Sequence, residues 1–99
     1  MAVAPEVGRL IYLLVHSRRP ALVAEFGTSF GLSALHIASA VRDNSFGHLI
    51  TTEQSATKAS RAAAHTEQAG LSDLVEIRTG DAFQTLANAK GIDLLLLDG

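Results

Sequence analysis

The stretch EFGTSFG, Glu25 to Gly31, lies between a short apolar run and a helical pattern. Gly27 and Gly31 let the backbone turn sharply and let a ligand approach without a side chain in the way. A helix that follows such a turn aims its amide hydrogens and positive dipole end at the same place. The dinucleotide fingerprint G-x-G-x-x-G, aligned from Gly27, meets Ser29 and Leu32 where its other glycines belong. A pyrophosphate loop is therefore disfavoured, whereas an adenosyl ligand without phosphates is not. Packing of a tight strand-to-helix turn accounts for the glycines equally. About 20 residues further on comes Glu53, the spacing at which an acid accepts bonds from two ribose hydroxyls; an exposed acid near a helix start is the alternative. GDAF, Gly80 to Phe83, offers Asp81 to an adenine edge and Phe83 to its ring, or Asp81 simply caps a helix. Asp98 could bind a metal, bond a ligand amine or cap a turn.

These residues need elements to position them. Pro5 suits a first helical turn, and Val7, Leu10, Ile11, Leu14 and Val15 share one helical face until Arg18, Arg19 and Pro20 end it. Ala21 to Phe26 is a short buried strand. From Phe30, apolar Ala34, Ile37, Ala38 and Val41 mark a second helix, and Arg42 to Gly47 is turn chemistry. His48 to Thr52 is a second strand. Ser55 caps an alanine-rich helix that stops at Gly70. Leu74 to Thr79 alternates as a third strand, Asp81 to Lys90 forms a short helix, and Ile92 to Asp98 is a fourth strand apolar enough to need cover on both faces. The alternation predicts an α/β chain: a Rossmann-like open parallel sheet with helices on both faces. The glycine turn and the acids then gather on the carboxyl edge of the sheet, where such folds bind ligands.

With 99 residues, 47% of them apolar, the chain is a single domain, 1–99, and not disordered. A net charge of −2 without a basic block predicts no nucleic-acid partner. The chain has no cysteine, which excludes disulfides and cysteine–zinc sites and fits a reducing, cytoplasmic setting. LIYLLV is too short to span a bilayer, and no basic leader precedes it, so no membrane partner or signal peptide is expected. His16, His36, His48 and His65 lack close ligand spacing, Lys58 and Lys90 read as solvated, and Ser29 and Ser33 lack the motif of a nucleophilic triad. No catalytic residue is assigned.

PEVGRLIYLLV, AEFGTSFGLSAL, ITTEQ, GDA and IDLLLLDG follow one another in an order and spacing that resemble the S-adenosylmethionine-dependent O-methyltransferases, most closely their metal-dependent catechol and caffeoyl-CoA branch. The resemblance covers nearly the whole chain. It implies that Glu25, Gly27 and Gly31 line the methionine side of the cofactor, with Thr28 and Ser29 in the turn between them, and that Ser33 bonds its carboxylate. It implies further that Glu53 holds the ribose with Gln54 beside the adenine, and that Asp81, Ala82 and Phe83 meet the adenine edge. Ala82 and Phe83 replace more polar residues of some members. Met1 and Val3 match positions that cover the cofactor and face the substrate. Asp98 matches the first carboxylate ligand of a divalent metal such as Mg²⁺. The implied reaction is methyl transfer to a hydroxyl of a small, catechol-like acceptor.

The resembled sheet continues beyond its fourth strand, whereas this chain stops one residue after Asp98. The expectation is a partial methyltransferase domain whose base and remaining metal ligands lie elsewhere, with the Ile92–Asp98 edge open to a second copy. The alternatives are a non-catalytic remnant of the fold and a nicotinamide-binding reductase fragment.

Overall fold

A computed structural model describes residues 5–27 and 32–97. Among them four parallel strands form one sheet in the order β3-β2-β1-β4, with β1 Leu22–Phe26, β2 His48–Glu53, β3 Val75–Thr79 and β4 Leu94–Leu97. Helices α1 Pro5–Arg18, α2 Leu32–Asn44 and α3 Ala56–Gln68 pack together, and the single turn α4 Ala82–Thr85 lies in the connection between β3 and β4. The two steps β1 to β2 to β3 run the same way, so right-handed crossovers put α2 and α3 on one face. The return from β3 to β4 crosses the other face, where Phe83 meets Phe26. This is the α/β architecture expected from the sequence.

Alternation along the strands sorts their side chains. Val23 and Leu49 pack with Val15, Ala34, Ile37 and Val41 in the main core, joined by Leu94 and Leu96 of β4. Burial of this kind contributes about 25 cal/mol per Å² of apolar surface. Leu95 points the other way and is 48% exposed, so the structure covers only one face of β4. Among the described residues no helix is long and apolar enough to cross a membrane.

Several element details differ from the sequence expectation. The buried stripe of α1 is shifted by one residue: Gly8 and Val15 are buried and Ile11 and Tyr12 half-buried, while Val7 and Leu10 are 49% and 65% exposed. Gly8 explains the shift. The helices approach at their smallest residue, and a Cβ there would sit 2.3 Å from Nε2 of His36 on α2. α2 runs on through Arg42 and Asp43, because the buried Asn44 donates to the Val15 carbonyl at 3.2 Å and the chain reverses only at Ser45 and Gly47, with φ of 52° and 106°. α4 stops at Thr85 rather than Lys90. The Thr85 carbonyl accepts from the Arg78 guanidinium, and the Ala89 amide turns instead to Leu86 at 3.0 Å. β4 starts at Leu94, since the Asp93 carboxylate accepts from the amides of Ala21 and Leu22 at 2.8 and 3.3 Å. α3 matches its expectation: Ser55 Oγ accepts from the Lys58 amide at 3.3 Å, and Gly70, φ 74°, closes a Schellman motif through Gly70 to Glu67 and Leu71 to Thr66.

Candidate functional site

The strand order reverses at β1, whose neighbours are β2 on one side and β4 on the other. In open parallel sheets the crevice outside the carboxyl ends at such a point is where ligands bind. Gly27 begins the turn out of β1 there with φ 79°, a conformation that favours glycine. Its amide donates to the Thr52 carbonyl at 2.9 Å, which ties the turn to β2. One strand further over, the Gly80 amide donates to the Glu53 carbonyl at 2.9 Å. These two bonds bring the ends of β1, β2 and β3 onto one rim.

Glu25 is 1% exposed, on the face of β1 that meets α2. A carboxylate that deep needs donors. Thr51, its register partner on β2, donates through Oγ1 at 2.7 Å, and the hydroxyl of Ser33 in the first turn of α2 donates to the other oxygen. Thr52 Oγ1 adds a bond to the Glu25 carbonyl at 3.1 Å. Glu25 and Ser33, which the resemblance places on the methionine side of a cofactor, therefore bond each other. A serine hydroxyl has one proton, so Ser33 can donate to a ligand carboxylate only by turning away from Glu25.

Glu53 ends β2 half-buried, with Oε2 accepting from the Ser55 amide at 3.0 Å. Gln54 beside it is exposed. Asp81 caps α4, accepting from the Phe83 amide at 3.4 Å, which matches the capping alternative read from the sequence. Ala82 is half-buried, and Phe83 is 79% exposed, edge-on to Phe26 with centroids 6.0 Å apart. An exposed aromatic ring of this kind at a polar rim is a surface on which a flat apolar group can rest.

The structure thus brings together Gly27, Glu53, Gln54, Asp81, Ala82 and Phe83 on the rim, with Glu25 and Ser33 beneath it. Met1, Val3, Thr28, Ser29, Gly31 and Asp98 lie outside the described residues. Sequence reasoning missed Thr51 and Thr52. In the register of the two strands Thr51 lies opposite Glu25, a buried hydroxyl across from a buried acid, and that register is set by tertiary pairing rather than by any local pattern.

A parallel sheet with a glycine turn at its switch point and an acid ending the next strand defines a Rossmann-like fold. The chain belongs to the methyltransferase domain family, which it matches over residues 24–99. It is 32% identical over 103 residues to the catechol O-methyltransferase of Niastella koreensis, a match that covers 99% of this chain and 46% of that protein. The O-methyltransferase TomG from Streptomyces achromogenes, involved in tomaymycin synthesis and solved in complex with SAM, superposes with a TM-score of 0.89 at 31% identity over 99% of this chain and 45% of that one. An O-methyltransferase from Bacillus cereus, in complex with SAH, gives 0.84 at 31% identity, covering 98% and 46%. The chain spans just under half the length of the relatives it matches.

Proposed function

We propose that this chain binds S-adenosylmethionine at the carboxyl edge of its sheet and forms the cofactor-binding part of an O-methyltransferase acting on a hydroxyl of a small acceptor. The observation that carries this reading is the rim itself: Gly27, Glu53 and the Asp81–Phe83 turn drawn together by the Gly27–Thr52 and Gly80–Glu53 backbone bonds. The residues suit the ligand. Glu53 is half-buried at the rim, and a carboxylate carries about four lone-pair sites, enough to accept two ribose hydroxyls besides the Ser55 amide. The exposed Phe83 ring suits an adenine face, and the Asp81 carboxylate beside it suits an exocyclic amine. Gly27 at φ 79° leaves room for the methionine part to pass close to the backbone.

When bound, S-adenosylmethionine supplies an electrophilic methyl group on a sulfonium, which an acceptor oxygen takes up as its own proton leaves. The chain's contribution is placement. Glu53 fixes the ribose end, Thr51 and Ser33 hold Glu25 beneath the methionine end, and the Phe83 ring, braced edge-on by Phe26, offers a face to the adenine. Thr28, Ser29, Gly31 and Val3 belong to the same reading as further cofactor contacts. A catechol-like acceptor is supported by the relative from Niastella koreensis. A divalent cation such as Mg²⁺ at Asp98 belongs to the reading too. Among the described residues no group of three His, Asp or Glu is placed to hold a metal.

Calorimetric titration with S-adenosylmethionine tests the proposal. Saturable binding is expected, weakened at least about tenfold in Glu53→Ala, since hydrogen bonds to a carboxylate contribute roughly 1.5–3 kcal/mol each. No binding by a chain shown to be folded, or equal binding of NAD, would overturn it.

A further inference from the structure

At the opposite end of the sheet, where β1 and β4 begin, three connections meet around a cleft of about 410 Å³. That volume falls within the roughly 300–1,000 Å³ of small-molecule pockets. Arg18, Arg19, Pro20, Phe46, Asp93 and Leu94 line it. We propose that this cleft is a second binding site, for a small aromatic carboxylate.

The charges choose the sign of the ligand. Arg18 and Arg19 both line the cleft, and among the described residues neither has a carboxylate within ion-pair distance. Asp93, the acid on the same wall, is committed to the amides of Ala21 and Leu22 at 2.8 and 3.3 Å. Its remaining charge still repels a dianion, which favours a monoanion over a phosphate. Geometry chooses the head group. The Arg19 guanidinium lies over the Phe46 ring, 5.9 Å from its centroid. A cation–π contact of this kind holds the guanidinium beside the ring without using up its N–H donors, which can form a two-pronged bond to a planar carboxylate. Apolar neighbours choose the body: half-exposed Phe46, together with Pro20 and Leu94, offers a wall for a ring rather than for water.

The cleft is also held in shape without a ligand. Arg19 sits in the left-handed region with φ 49°, fixed by its amide bond to Val15 at 3.0 Å. Gly47, φ 106°, presses on the α1–β1 connection so closely that a Cβ would lie 2.4 Å from the Pro20 carbonyl oxygen. Pre-shaped walls lower the ordering cost of binding. The site stands apart from the carboxyl-edge rim, so it does not depend on the cofactor reading.

Titration of the isotope-labelled chain with benzoate, followed by amide NMR, tests this. Saturable shifts are expected at Arg19, Ala21, Leu22, Phe46, Gly47 and Asp93, with Gly27 and Glu53 unmoved. Arg19→Lys keeps the charge but loses the fork, and binding should weaken about tenfold. Phe46→Ala gives an independent reading through loss of the ring beside Arg19 and should weaken binding as well, with circular dichroism showing both variants folded. Absence of saturable shifts, shifts centred on Gly27 and Glu53, wild-type affinity in both variants, or inorganic phosphate binding as tightly as benzoate would each overturn the proposal.

Discussion

Glu25 lies one residue before the end of β1 and Glu53 ends β2, yet their surroundings divide their work. Glu25 is buried with hydroxyl donors, whereas Glu53 reaches the rim and holds the start of α3 through the Ser55 amide. Removing a donor from a buried carboxylate costs more than the bond itself, because the acceptor remains desolvated. Thr51→Val keeps the shape and removes one donor. Urea unfolding should show a loss of about 1–3 kcal/mol, whereas the same exchange at exposed Thr57 should change stability by less than about 0.5 kcal/mol. Equal effects at the two positions would show that the Thr51–Glu25 bond contributes nothing. The sequence made Glu53 legible through its distance from the glycine turn, a regularity of the fold. Thr51 was not legible, because its role depends on the register between β1 and β2, and nothing local to ITTEQ marks one threonine as facing an acid.

At the scale of elements, caps and strand runs were legible because their causes are local: Ser55 before an alanine-rich stretch, Gly70 after it, and short, mainly apolar runs for β1 and β4. What was misplaced depends on tertiary contact. The stripe of α1 follows the Gly8–His36 approach, and α4 is cut short by Arg78 reaching across from β3. Gly47 was read only as turn chemistry, but its positive φ and its closeness to Pro20 make it the joint between two connections. Gly47→Ala imposes both a strained conformation and a clash with backbone, and should cost about 1–3 kcal/mol or more in thermal or urea unfolding. The clasp between α1 and α2 makes a pH prediction. Tyr12 donates to Asp43. That bond is the main cause that holds the Asp43 carboxyl below its ordinary 3.8 and the Tyr12 phenol above its ordinary 10.0. The carboxylate is more acidic when folded, so its contribution is present above 3.8 and lost as pH falls through the lowered value. The phenol is less acidic when folded, so its contribution is present below 10.0 and lost as pH rises through the raised value. Tyr12→Phe should flatten the stability profile at both limits relative to the wild type, and parallel profiles would remove the clasp from the account.

The whole molecule is a sheet with one well-filled face and an open edge. Val23, Leu49, Leu94 and Leu96 join α1 and α2 in the core, but Leu95 and Ile92 remain exposed, and among the described residues nothing pairs with the outer edge of β4. Parallel strands are ordinarily covered on both faces, and an apolar edge left bare is a template for another strand. The related catechol O-methyltransferase is about twice as long as this chain, which covers 46% of it. The 99-residue chain by itself should therefore bury this edge against a second copy. Sedimentation velocity should show association that grows with concentration, and Leu95→Lys should shift it towards monomer, because a lysine on a strand edge cannot be buried without losing its hydration. The substitution lies on the side of the sheet away from the main core, so the melting temperature of the diluted variant should stay close to that of the diluted wild type. A wild-type chain that stays monomeric at high concentration would mean that exposed Leu95 does not drive pairing. The edge would then be protected by its short length, β4 having only four residues.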